Sequence, residues 1–145
     1  MTTEKLPYLV MASADELAAF AKNNAIESYR AKQIERWVSK RWTVDPDSMT
    51  DLSQTARQKL RDSFLCNTVT VAEEHFSADG AGKLLLRLRD AEFIECALIP
   101  AADGRMTFCL STQVGCPVHC AFCSSGKGGF VRNLDAGEIV EQFFC

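Results

Sequence analysis

The sequence predicts an α+β chain: a small helical domain (residues 1–66), a small antiparallel sheet (67–104), and the opening of a repeated β/α architecture (105–145). Three observations predict it. Apolar residues recur at helical spacing as far as residue 64. After Cys66 the pattern changes to short β-rich runs. A strand, a loop and a capped helix then follow one another up to Cys145.

Residues 13–23 (SADELAAFAKN) open the helical part. Ser13 stands three before Glu16, the signature of a capping box, and Leu17, Phe20 and Ala21 share one helical face. A second helix is predicted from about Ser28 to Trp42, with Ile34, Trp37 and Val38 on one side and Arg30, Lys32, Arg36 and Lys40 largely elsewhere. The breaker-rich stretch TVDPDSMTD separates it from a third helix over 52–64, where Ala56, Leu60 and Phe64 recur every four positions.

Residues 68–74 (TVTVAEE), 83–89 (KLLLRLR) and 93–99 (FIECALI) are predicted strands. Ser-Ala-Asp-Gly-Ala-Gly forms the first turn between them and Asp90-Ala91 the second. Pro100 to Gly104 makes a loop, and residues 106–111 (MTFCLS) form a further strand that leads directly into a cysteine-rich loop. Asp135, three before Glu138, caps a last helix. Its Ile139, Val140, Phe143 and Phe144 fall on one face, which requires an apolar surface to cover it.

At 145 residues the chain is too short for a complete barrel. With 47% hydrophobic and 24% charged residues its composition is that of an ordinary globular protein, and no apolar run approaches bilayer-spanning length. The first residues lack a basic region followed by an unbroken apolar stretch. A cytoplasmic address with no membrane partner is therefore expected. The net charge of -3 excludes a global attraction for a polyanion, so nucleic-acid binding must come from a local patch.

Seven cysteines in a reducing compartment need a reason. Three of them, Cys116, Cys120 and Cys123, are spaced C-x-x-x-C-x-x-C within STQVGCPVHCAFCSSGKGGFVRN (111–133), among Gly, Pro and Ser. Thiolates are soft ligands for zinc or iron-sulfur clusters, and a four-iron cluster held by only three of them leaves one iron open. Zinc held by these three and a fourth donor such as His119 or Cys109 is the competing reading, although zinc sites usually bring a second matching pair.

This spacing resembles that of radical-SAM enzymes, in which S-adenosylmethionine occupies the open iron of a [4Fe-4S] cluster. Further motifs resemble one family in particular, the bacterial dual-specificity RlmN-type enzymes that methylate carbon 2 of adenine in 23S rRNA and tRNA. They are Tyr29-Arg-Ala-Lys-Gln-Ile, Ser48-Met-Thr-Asp-Leu-Ser, Ile94-Glu-Cys-Ala-Leu-Ile-Pro100, Ser111-Thr-Gln-Val-Gly-Cys116 and Gly129-Phe-Val-Arg-Asn-Leu134. The resemblance covers nearly the whole chain. It implies a helical accessory RNA-binding domain over 1–66, a sheet or linker over 67–104, and the truncated start of a radical-SAM partial (β/α) barrel over 105–145.

The resemblance also implies roles. Cys116, Cys120 and Cys123 would hold the cluster, and Phe122 would lie near the adenine of S-adenosylmethionine. Glu95 matches the family's proton acceptor, and Cys109 the cysteine that resolves a covalent protein-RNA intermediate through a transient disulfide. From the residues alone, Glu95 is equally a surface strand residue and Cys109 a core thiol of an alternating strand. An electron donor such as flavodoxin is implied as a partner. The family's methyl-carrying cysteine lies near its carboxyl end and has no counterpart here, Cys145 included. The 145-residue chain alone is thus expected not to complete methylation.

Arg30, Lys32, Arg36, Lys40 and Arg41, interleaved with Trp37 and Trp42, form a candidate RNA-contacting patch. The alternative is a solvated helix whose tryptophans pack in the core. Lys127 and Arg132 are further candidates near the cysteines. Competing functions are the related carbon-8 adenine methyltransferase and a non-catalytic RNA- or zinc-binding module.

Overall fold

A computed structural model of the chain describes residues 6–118, 120–123 and 127–145. The chain divides into two compact units, one ending at Asn67 and the other beginning at Thr68. Among the described residues no helix is long and apolar enough to cross a membrane.

The first unit holds α1 (Ala14–Asn23), α2 (Tyr29–Arg41) and α3 (Gln54–Ser63). The capping box forms as predicted. The Glu16 N–H donates to Ser13 Oγ at 3.2 Å, and the Ser13 N–H donates to the Glu16 carboxylate at 2.7 Å. Leu17, Phe20, Ala21, Ile34, Trp37, Ala56, Leu60 and Phe64 are all buried, as their periodicity requires. Phe20 and Phe64 meet edge to face, 5.5 Å between ring centroids. α2 ends one residue earlier than predicted because Trp42 turns left-handed at φ 50 and its N–H folds back to the Trp37 carbonyl.

The stretch between α2 and α3, which the sequence marks only by its breakers, supplies core: Val44, Met49 and Leu52 are buried. The Asp45 carboxylate organises it, accepting the Asp47 N–H and the Ser48 hydroxyl at 3.0 Å each and capping a 3-10 turn over Pro46–Ser48. The unit is closed where its ends meet. The Leu9 N–H donates to the Leu65 carbonyl at 2.9 Å, and the Leu65 N–H to the Pro7 carbonyl at 2.8 Å.

In the second unit β1 (Val69–Phe76), β2 (Gly82–Leu88), β3 (Phe93–Pro100) and β4 (Met106–Cys109) form an antiparallel meander in chain order. Leu84, Leu86, Leu88, Ile94 and Cys96 face the core, and Lys83, Arg87 and Glu95 the opposite side. β4 stops at Cys109 instead of running on to Ser111. The Gln142 amide brackets Ser111, accepting its N–H at 2.9 Å and donating to its carbonyl at 2.8 Å, where a neighbouring strand would otherwise bond. The chain then re-enters as β5 (Gln113–Gly115), paired with β6 (Phe130–Asn133) in a separate two-stranded ladder that the sequence does not announce.

The last helix, α4 (Ala136–Glu141), continues as a 3-10 turn over Gln142–Phe144. Its most deeply buried side chains are polar, although Ile139 of the predicted apolar face packs against the sheet core. Glu138, Glu141 and Gln142 are buried, Ile139 and Val140 are half-buried, and Phe143 is exposed. Long-range hydrogen bonding explains the polar burial. One Glu141 oxygen accepts from the Thr68 N–H (2.5 Å), the Thr68 hydroxyl (2.7 Å) and the Val69 N–H (3.1 Å) at the start of β1. Its other oxygen has no partner among the described residues. Burial pushes the Glu141 carboxyl above the ordinary range.

Candidate functional site

The side chains singled out for chemistry lie on the second unit, and strand register decides which of them share a face. Ala97 of β3 stands opposite Cys109 of β4, and Glu95 lies two residues along β3 from Ala97, so Glu95 and Cys109 point to the same side of the sheet. Cys96 points to the other. That alternation buries Cys96 at 1% exposure, raising its thiol pKa, and leaves Cys109 exposed. Cys109 is not a core thiol.

Glu95 is half-exposed and paired. Lys83 of β2 places its ammonium 2.6 Å from Glu95 Oε1. Ser111 Oγ donates to the Glu95 backbone carbonyl at 2.7 Å, tying the chain beyond β4 to this point of β3.

Cys116, Cys120 and Cys123 follow on the segment between β5 and β6. Each is partly exposed, and all seven cysteines of the chain are free thiols. The Cys123 N–H donates to the Cys120 carbonyl at 3.1 Å, so the C-x-x-C pair closes one turn. Phe122 is 92% exposed. Among the described residues no three of His, Cys, Asp and Glu converge on a point that could hold one metal ion. His119, the candidate fourth zinc donor, lies outside the described residues. Three free thiols suit a cluster as a donor set, because a cluster spreads its cysteines over different irons and does not gather them on one ion.

Arg132 has a different place from the one its charge suggested. Its Nε lies 2.7 Å from Asp90, and its two terminal nitrogens meet both oxygens of buried Glu138 at 2.8 and 2.9 Å. Glu138 first, then Asp90, holds the guanidinium protonated well above its ordinary range, and Arg132 in turn lowers the Asp90 carboxyl. These ion pairs occupy the Arg132 donors. Lys127 is exposed.

The basic patch on α2 also divides. Arg30 bonds Gln33 at 2.8 Å and the Asp51 carbonyl, and Arg41 lies over the Trp37 ring at 4.1 Å. Trp37 is buried, with its indole N–H on Asp51, whereas Trp42 is 55% exposed. Lys32, Arg36 and Lys40 are exposed and spaced i, i+4, i+8, which sets them in one row about 6 Å apart along the helix.

Comparison with known proteins places these features. Residues 9–65 match the family model described as the ribosomal RNA large subunit methyltransferase N-terminal domain. The dual-specificity RNA methyltransferase RlmN of Halorhodospira halophila is 44% identical over 126 residues, 87% of this chain and 35% of that protein. The enzyme of the same name from Syntrophotalea carbinolica is 44% identical over 128 residues, 88% of this chain and 34% of that one.

The chain corresponds to the amino-terminal part of RlmN-type enzymes.

It spans little more than a third of the length of these RlmN relatives. The crystal structure of a radical SAM methyltransferase from Sphaerobacter thermophilus resembles it with a TM-score of 0.81 at 37% identity, over 95% of this chain and 40% of that one. The RlmN-type match begins at Leu9 and ends at Leu65, the two residues whose backbones bond to close the helical unit.

Proposed function

We propose that this chain is the RNA-engaging and cluster-bearing part of a radical-SAM methyltransferase that acts on carbon 2 of adenine in 23S rRNA and tRNA. The observation that carries the reading is the shared exposed face of Glu95 and Cys109, on a sheet whose last strand is followed in the chain by β5 and then by the three-cysteine segment. A proton acceptor and a thiol that act on one base must reach it from one side.

Cys116, Cys120 and Cys123 would hold a [4Fe-4S] cluster, with Phe122 beside the adenine of S-adenosylmethionine. Bound there, the two supply radical chemistry started by one electron, which suits a carbon too poorly nucleophilic for direct methyl transfer. Glu95 takes the proton from carbon 2. Lys83 holds its Oε1, and the carboxylate is half-exposed on that face. Cys109 would attack the sulfur of the family's late methyl-carrying cysteine, so that the S–S bond forms as the S–C bond to the RNA breaks; the leaving carbon takes the electron pair and a proton, and methylated RNA is released. That late cysteine has no counterpart in this chain, so we propose that the 145 residues alone do not complete the reaction. Detection of 2-methyladenosine made by the purified chain with cofactor and reductant would overturn that.

RNA engagement rests on Lys32, Arg36 and Lys40, whose spacing matches successive phosphates. The reading includes a cytoplasmic setting and a small electron-transfer protein such as flavodoxin as reductant.

Two measurements test it. Anaerobic reconstitution should give iron and sulfide in cluster proportion, and stoichiometric zinc without sulfide sinks the cluster. Disruption of the gene should remove 2-methyladenosine from RNA mapped by mass spectrometry. Loss of 8-methyladenosine instead would favour the carbon-8 reaction.

A further inference from the structure

The three candidate ligands stand between two chain ends that are held together by backbone. The Cys116 N–H donates to the Gly129 carbonyl at 3.1 Å. Gly115 has φ +71, and a Cβ there would lie 1.8 Å from the Gly129 oxygen, so no other residue fits the crossing. Val114 pairs with Arg132, and a register shift between Val114 and Gly115 sets Gly115 opposite Phe130. A ladder of two short strands is marginal by itself. The crossing therefore needs support from outside the ladder.

Arg132 lies on β6. Its guanidinium grips buried Glu138 with two parallel bonds and reaches Asp90 with a third. Glu138 also accepts the Asp135 N–H at 2.9 Å and so fixes the entry to α4. Asp90 sits in the β2–β3 turn, at the foot of the hairpin that carries Lys83 and Glu95. One side chain thus ties the exit strand of the cysteine segment to α4 and to the hairpin of the candidate proton acceptor. A planar fork meets both Glu138 oxygens in parallel while its Nε reaches Asp90. A lysine ammonium would satisfy one carboxylate as a point charge.

We propose that Arg132 is a positioning residue for the cysteine segment: it clamps the Gly115–Gly129 crossing so that Cys116, Cys120 and Cys123 are presented from ends already brought together. This rests on the reading of those cysteines as cluster ligands. Its physical content is the loop-closure entropy of the ligand set. With the ends clamped, three thiols sample a small volume, and the affinity for a shared cluster rises accordingly.

The test uses the 145-residue chain with two independent readouts. The first is amide exchange of Cys116 and Phe130 in cluster-free protein. The second is the rate at which an iron chelator strips the reconstituted cluster, followed with the electron paramagnetic resonance signal of its reduced form. In Arg132→Lys, exchange at Cys116 and cluster loss should each rise on the order of tenfold, as expected when a charge-assisted hydrogen bond is lost, while Leu86 and Cys96 in the sheet keep their protection. Asp90→Asn should move both in the same direction by less. Because a lone Glu138 could unfold the unit, the paired variant Arg132→Met with Glu138→Met repeats the measurement without a buried unpaired charge. Unchanged Cys116 exchange and unchanged cluster loss in these variants, with the sheet intact, would overturn the proposal. If wild-type protein binds neither iron nor sulfide, the cluster reading fails, and Cys116 exchange alone then decides the clamp.

Discussion

The two units are held by different physics. In the helical unit the described core is apolar throughout, from Leu9 to Phe64. All four described buried polar residues lie in the second unit: Thr68, Glu141 and Gln142 join segments 31 to 73 residues apart, and Glu138 holds Arg132, which reaches Asp90 42 residues away. An apolar core is tolerant because its attraction has no direction. Polar pins are directional, and a pin that loses its partner leaves a desolvated group behind. The lesson is that the structural unit is the forgiving one, and the unit with the candidate chemistry is geometrically exacting.

Both tryptophans, Trp37 and Trp42, belong to the helical unit, so their fluorescence reports that unit while sheet amides report the other. This makes the contrast testable. Arg132→Ala strands a carboxylate only 6% exposed, and should destabilise the sheet unit by about 3–5 kcal/mol with little change in the tryptophan transition. Equal shifts in both probes would show that the units unfold as one. Leu60→Ala, at a site with no exposure, should lower the tryptophan-detected stability by about 2–4 kcal/mol and spare the sheet amides.

Glu141 gives a smaller effect that depends on pH. Its folded-state pKa is raised above 4.5, so its protonation stabilises the fold fully below that value, and the contribution is lost as pH rises through the folded pKa. Glu141→Gln keeps an acceptor for Thr68 and does not titrate. Its denaturant midpoint should therefore rise relative to the wild type as the pH is raised above 4.5. A pH-independent difference would contradict the burial argument.

Ser13→Ala removes half of a capping box and should cost the helical unit about 1 kcal/mol. Smallest of all, Glu95→Gln breaks an exposed ion pair and should change stability by about 0–1 kcal/mol. A large loss there would make Glu95 a structural residue and weaken its proposed chemical role.

The sequence by itself determined what depends on near neighbours. Helical periodicity at Leu17, Ile34 and Leu60, both glutamate caps, the strand alternation that separates Cys96 from Glu95, and the spacing of Cys116, Cys120 and Cys123 are all set within a few residues of chain. Tertiary structure decided the rest. It turned Arg132 from a solvent-facing cation into the partner of Asp90 and Glu138, and it buried the polar Glu138, Glu141 and Gln142 more deeply than the apolar residues of the last helix. It brought Met49 into the core and matched β5 with β6. Each of these outcomes depends on a partner tens of residues away or on a turn whose side chains cap their own backbone, and a directional bond to a distant partner leaves no periodic trace in the sequence.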